Sequence, residues 1–368
     1  MSTADGSVLG TTPIVFNGPA SQKWNLVIVA EGYRDVEISN FHNDAQSFAQ
    51  TLFQTPPFDD LSPAVNIYRI DVTSTDSGAK DPVACGGTGA TPRTYFDASF
   101  CNNGIRRLLV CNDATVHQVV NAQMPQAHMI LVMVNTTVYG GSGGGIAVFS
   151  LASGANEIAL HEMGHTAFGF ADEYESYAGC GVDVGHDHYF GGEPAQPNVT
   201  RDSNRATNKW RDLVQAATPM PTTSNADCTK CDPQPNPFPA ATVGTYEGAF
   251  YYHCGAYRPQ FNCRMRALGN PYCAVCQRVI RQALAPYLSP WIYNLRVLRT
   301  HAKNGSQMAW AFLSDAGGAP GTNEWLLVRP AAADGVTNVF AVLCDALAKG
   351  RKVNVLLDEG QISQATLN

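Results

Sequence analysis

The chain has 368 residues, 45% of them apolar, and a formal net charge of -7, which is enough sequence for two or three domains with a sizeable core. The charges are not gathered into blocks, so no basic run argues for nucleic acid or an anionic membrane surface. No apolar stretch is long enough to span a bilayer, and residues 1–6 (MSTADG) lack the basic and apolar regions of a signal peptide.

Residues 1–13 read as an N-terminal tail. Residues 24–33 (WNLVIVAEGY) form a continuous apolar run that predicts a buried strand. Residues 36–53 have helical periodicity, with Phe41, Ala45, Phe48 and Leu52 on one stripe. Residues 66–72 (NIYRIDV) predict a second strand, 114–123 a short helix and 128–135 (HMILVMVN) a third strand buried on both faces. A glycine-rich turn (Gly140, Gly141, Gly143, Gly144, Gly145) leads into a short strand at 146–150. Strands alternating with helices favour a layered α/β fold, with a mixed, mostly parallel sheet. A helix follows at 154–169, with Asn156 or Ser153 as candidate caps and Gly169 placed to end it. From 176 to 262 the text is rich in Gly, Pro, Asn and Cys and reads as long cross-linked loops; 272–287 return to helical character. Beyond Ser289-Pro290, short β-like runs alternate with turn signals such as Gly317-Gly318 and Asp334-Gly335. These predict a separate small β domain over 289–368, about 80 residues, with 14–288 as a larger first domain.

There are eleven cysteines, nine of them before residue 275 and the densest group between 228 and 276. Clustering in loop-like sequence favours disulfides formed in an oxidising compartment, hence a secreted or periplasmic chain whose leader is missing from this sequence. Cys344, within an apolar run, reads as a plain buried thiol. Cys228-Thr-Lys-Cys231 and Cys273-Ala-Val-Cys276 are two C-x-x-C units; disulfides between or near them are favoured over a structural zinc because the intervening stretch exceeds the usual spacing.

The helix at 154–169 contains His161-Glu162-Met163-Gly164-His165, which is H-E-x-x-H. One helical turn separates the imidazoles, so both project from one face and can share a zinc ion, while Glu162 beside them can act as general base on a bound water. A third ligand is needed, with a position left open. Gly169 can turn the chain back, and Asp172 lies three residues beyond it, the glycine-to-ligand spacing of H-E-x-x-H-x-x-G-x-x-H with one more residue before the glycine and Asp in place of His. The expected ligands are His161, His165 and Asp172, with Glu175 and then Glu173 as alternatives. Two neutral imidazoles and one carboxylate leave about +1 on the centre, lowering the pKa of bound water towards about 7. His186 and His188 offer a weaker second metal site, better read as a solvated loop, and His253 reads as a cleft-lining or satisfied loop residue. No pattern decides for or against structural calcium.

Residues 161–175 (HEMGHTAFGFADEYE) resemble the IgA-peptidase family of bacterial zinc metallopeptidases, and so do 25–33, 66–72 with the following STDSG, 257–259 (YRP), 263–266 (CRMR) and 272–276 (YCAVC). The likeness covers roughly residues 14–288. It implies a zincin or metzincin-like core, one catalytic zinc, secretion, and protein or peptide substrates cleaved internally; it does not imply that immunoglobulin A is cleaved. It further implies Met265 as a methionine turn beneath the zinc, Tyr257 as a donor to the developing oxyanion, and the strand around Gly145, Ile146 and Ala147 as the sheet edge on which substrate lies. A monomer with no nucleic-acid or membrane partner is expected. The competing functions are a zinc hydrolase of a non-peptide amide or ester, and a catalytically silent binding protein on the same scaffold.

Overall fold

A computed structural model describes residues 2–177, 179–181, 185–288, 291–304, 308–314, 324–329, 333–358 and 361–368. The chain divides into two compact units, one of Met1–Ile14, Leu26–Ser62 and Ile67–Ala283, the other of Val15–Asn25, Pro63–Asn66 and Leu284–Asn368.

The first unit is built on a sheet of seven strands: β1 (Ser2–Thr3), β2 (Gly6–Val15), β3 (Trp24–Glu31), β4 (Val65–Ser74), β5 (Met129–Val134), β6 (Gly141–Ser142) and β7 (Ala147–Ser150), in the order β1-β2-β4-β3-β5-β7-β6. The residues read as a tail are therefore strands: β1 and β2 form a hairpin (Ser2↔Ser7, Thr3↔Gly6) at one side of the sheet. Their Thr- and Gly-rich sequence lacks the apolar run of a central strand, because β2 is only half-buried along its length. The centre follows the sequence closely. All eight residues of β3 and all six of β5 are buried, and β3 pairs parallel with β5 (Leu26↔Met129) and β5 with β7 (Leu131↔Ala147), as expected of apolar strands covered on both faces. Strand β6 pairs antiparallel with β7, which makes the sheet mixed.

Helix α1 (Ile38–Phe53) buries Phe41, Ala45, Phe48, Ala49 and Leu52, the predicted stripe extended by Ala49. It is followed by the short α2 (Phe58–Leu61), and α3 (Asp113–Gln123) starts where Asn112 Oδ1 accepts the Thr115 amide at 3.1 Å. At the end of β3 the buried Glu31 accepts from Thr94 Oγ1 (2.6 Å) and from the amides of Phe96 (3.0 Å) and Ala98 (2.9 Å), fixing the loop that follows β4. Helix α4 (Ala155–Phe168) packs on β5, β6 and β7. Among its described residues, the region read as loops contains one hairpin, β8 (Tyr246–Ala249) with β9 (Tyr252–Arg258), before α5 (Ala274–Leu284). Its cross-links are Cys180–Cys231 and Cys228–Cys254; a third, Cys85–Cys101, lies earlier. Cys228 and Cys231 thus pair outward, to different partners.

The second unit carries a five-stranded antiparallel sheet, β12-β11-β10-β13-β14, of β10 (Trp291–Ala302), β11 (Ala309–Ser314), β12 (Glu324–Leu327), β13 (Lys352–Asp358) and β14 (Gln361–Leu367). It is not all-β. Helix α6 (Ala333–Lys349) runs through the Asp334-Gly335 pair read as a turn. Val336, Leu343 and Ala346 recur at helical spacing and bury against Leu295, Ala311 and Val353, with Val339 and Phe340 packed alongside. That period outweighs the local turn signal. Cys344 is half-buried rather than enclosed, its thiol 3.7 Å from Thr300 Oγ1. Ser289-Pro290 and Gly317-Gly318 lie outside the described residues.

Candidate metal centre

Helix α4 starts without a side-chain cap. Gly154 takes the capping position at φ 81°, and Asn156 instead reaches α1, donating to Thr51 Oγ1 at 2.8 Å. Its end is the predicted one: Gly169 adopts φ 64°, a conformation glycine enters without steric cost, and its amide returns to the carbonyls of Gly164 and His165. The chain then doubles back beside the helix. Asn198 clamps this return by accepting from the Ala171 amide and donating to its carbonyl (both 2.8 Å), and Glu173 N donates to Met265 O at 2.8 Å.

The turn delivers Asp172 to the two histidines. Nε2 of His161 lies 3.1 Å from Nε2 of His165, and Oδ1 of Asp172 lies 3.0 and 3.3 Å from them. The far side of each ring is held by the backbone: His161 Nδ1 sits 3.1 Å from Arg264 O and His165 Nδ1 2.7 Å from Phe170 O. A carbonyl only accepts, so each Nδ1 carries the proton and each Nε2 points its lone pair at the other ligand atoms. Oδ1 of Asp172 is buried and has no hydrogen-bond partner. Three acceptor atoms crowded in this way are unfavourable unless a cation sits among them. Tetrahedral bonds of 2.0–2.1 Å would set such atoms about 3.3 Å apart, so this donor set fits a zinc-sized divalent ion.

The electrostatics agree. Burial disfavours charge on both imidazoles, but the carboxylates of Asp172 and Glu162 outweigh it, and His161 is raised and His165 lifted to about 9. Burial would raise Asp172 as well, yet the two imidazoles hold it far below the carboxylate range. Glu162 is pushed up by burial, in part against the pull of the histidines.

These groups open into a cleft of about 590 Å³, lined by Arg107, Tyr139, the Gly141–Gly144 segment, Glu162, Tyr174, Tyr177, Tyr251 and Leu268 among others. Tyr139, Tyr177 and Leu268 are substantially exposed, so the cleft is open to solvent. Glycine is required along one wall. A Cβ at Gly143 would meet His165 Cβ at 2.7 Å, and one at Gly141 would meet Ile158 Cγ2 at 2.9 Å and Glu162 Oε1 at 3.1 Å. The edge strand is therefore not the one expected. Ala147 pairs inside the sheet, with β7 flanked by β5 and β6, and Ile146 is buried. The wall of the cleft is β6 and the glycines after it, with Gly145 in the loop beyond.

Tyr257 does not reach the centre. It lies on β9, bridged to Thr200 and paired with Glu247. The phenols that do are Tyr251, donating to Asp172 Oδ2 at 2.5 Å, and Tyr174, whose ring meets that of Tyr251 edge-on at 5.3 Å. Burial first, then the Asp172 charge, raise both, so they remain protonated donors. Sequence alone does not single out Tyr251, because it sits in the two-residue turn of the β8–β9 hairpin with Phe250 and Tyr251 both at positive φ (57° and 72°). Such turns are ordinarily filled by Asn and Gly. Here the strained backbone is held by Phe250 N to Asp172 O (3.1 Å) and Tyr251 N to Tyr174 O (3.0 Å). Arg107, also unsignalled, acts on both Glu162 and Tyr174.

Met265 is fully buried, and a Cβ at Gly164 would meet its Sδ at 2.7 Å, so the thioether lies against the helix between the two histidines. Glu175 binds Arg266 (2.8 and 3.2 Å), and Glu173 points into a separate cluster. His188 lies in an exposed loop stacked on Phe190, His186 stacks on Tyr177, and the buried His253 contacts Cys228 O at 2.9 Å; none joins a metal-binding group among the described residues.

The cleft thus contains a group of three side chains, His161, His165 and Asp172, that could hold a metal ion. The chain belongs to the family described as IgA Peptidase M64, whose sequence model matches residues 12–233 and 235–284. Members of this family are metallopeptidases, which makes the chain a peptide-bond hydrolase of that kind. No curated protein matches the sequence. No helix among the described residues is long and apolar enough to cross a membrane.

Proposed function

We propose that the chain is a secreted zinc-dependent endopeptidase, with His161, His165 and Asp172 as the ligands and Glu162 as general base. The observation that carries this reading is the convergence of two Nε2 atoms and one orphaned carboxylate oxygen within 3.3 Å, beside a glutamate in the same open cleft. Zinc bound there supplies Lewis acidity towards the scissile carbonyl. Glu162, whose pKa burial raises so that its ionised carboxylate is a stronger base, takes the proton of the attacking water and delivers it to the leaving amide nitrogen. Tyr251 and Tyr174, both phenols at neutral pH, orient Asp172 and present O–H donors at the cleft. Met265 supports the histidines from below.

The exposed rim formed by Tyr139, Tyr177 and Leu268 favours a polymer lying across the centre over a small enclosed amide or ester. Three disulfides support folding in an oxidising compartment. The test compares wild type with Glu162→Ala on casein-like protein substrates. The variant should keep its zinc and lose at least ~10²-fold in rate, as expected for a missing general base. Equal digestion by both would place the chemistry elsewhere. A wild type that holds zinc but cleaves no protein would favour the non-peptide hydrolase or the silent binding protein.

A further inference from the structure

Ten and then three residues apart in sequence, Cys263, Cys273 and Cys276 converge with Glu173, all four fully or nearly fully buried. Their ligand atoms lie within 4.8 Å of one another. Cys263 Sγ is 3.9 Å from Cys276 Sγ, and Glu173 Oε1 is 3.7 Å from the sulfurs of both Cys273 and Cys276. Tetrahedral zinc with bonds of about 2.3 Å to sulfur and about 2.0 Å to oxygen requires S···S edges of about 3.8 Å and S···O edges of about 3.5 Å. The spacing is that of a closed four-ligand cage.

Three further observations point to a cation. Glu173 Oε2 is buried with no hydrogen-bond partner, a costly state for a carboxylate unless positive charge is close. Backbone amides face the sulfurs, Cys273 N to Cys263 Sγ at 3.3 Å and Cys276 N to Cys273 Sγ at 3.4 Å, and Cys273 immediately precedes α5, where the helix dipole favours thiolate. Finally, the six cysteines elsewhere in this unit that pair do so in three disulfides, whereas three thiols around one carboxylate cannot all be satisfied by pairing among themselves.

We propose that Cys263, Cys273, Cys276 and Glu173 hold a second, structural zinc ion. Thiolate-rich tetrahedral sites without an open position are structural zinc sites. This one ties together the segments that orient the first centre. Glu173 adjoins Asp172. Cys263 adjoins Arg264, whose carbonyl fixes the His161 ring, and Met265 follows next along the chain.

The test uses the full chain purified without chelator, and a His161→Ala/His165→Ala variant. Zinc content is measured by mass spectrometry and ligation by zinc-edge X-ray absorption. Two zinc ions per wild-type chain are expected, with one retained in the variant and bound by three sulfurs at about 2.3 Å. A zinc-free variant, a retained zinc with only nitrogen and oxygen neighbours, iron in its place, or a disulfide among the three cysteines on peptide mapping would overturn the proposal. A single sulfur-bound zinc in both proteins would uphold it and instead contradict the histidine centre.

Discussion

Asp172 holds the candidate centre together because its two oxygens have separate tasks: Oδ1 faces both imidazoles and Oδ2 accepts the Tyr251 hydroxyl at 2.5 Å. Asp172→Ala is expected to abolish zinc binding at this centre, as read by competition with a chelator; unchanged affinity would move the third ligand elsewhere. Tyr251→Phe removes only the outer bond, and should weaken zinc affinity by roughly 10–100-fold, the usual effect of losing an outer partner. Glu175 behaves differently. Burial alone would raise its pKa, but Arg266 overcomes this and holds it below its ordinary value. A carboxylate depressed in the folded state stabilises the fold above its unfolded value of about 4.3 and loses that contribution as pH falls through the folded value. Glu175→Gln should therefore flatten the acid limb of stability, seen as a smaller drop in urea midpoint between neutral and acidic pH than in wild type. His161, Glu162, His165, Gly169 and Asp172 were legible in the sequence because they lie within one helix and one turn. Tyr251 and Asn198 were not, since they arrive from 79 and 27 positions away from the residues they hold.

At the scale of elements, the contact between α4 and the segment carrying Met265 is tight enough to test. A methyl group at Gly164 would meet Met265 Sδ at 2.7 Å and both Met265 Cε and Phe170 Cδ2 at 3.2 Å. Gly164→Ala should cost ~1–3 kcal/mol by overpacking. In a Met265→Ala background the same substitution should cost less, and a double-mutant cycle in denaturant would measure the coupling; strict additivity would show that the two do not touch. The elements that escaped sequence reading did so for a physical reason. β2 is half-buried at the side of the sheet and needs no apolar run, while α6 begins at an Asp-Gly pair whose turn signal masks the helical spacing of Val336, Leu343 and Ala346. Central strands β3 and β5, buried on both faces, announce themselves as apolar runs.

For the molecule as a whole, much of the described part of residues 176–262 lacks regular structure, so its order depends on cross-links and on side-chain bonds to backbone. Cys228–Cys254 ties a loop to the hairpin that carries Tyr251 at its turn. Replacing both cysteines by serine should cost ~2–5 kcal/mol, the range for removing a native disulfide, and lower the thermal midpoint. Cys344→Ser, at a half-buried thiol outside any disulfide, should stay within about 0.5–1 kcal/mol of wild type.

The most direct measurement of the central claim is anomalous X-ray diffraction at the zinc edge from crystals of chain purified with its own metal. The account predicts a peak about 2.0–2.1 Å from His161 Nε2, His165 Nε2 and the Asp172 carboxylate. Fully active protein whose crystals show no anomalous scatterer between those three side chains would contradict it.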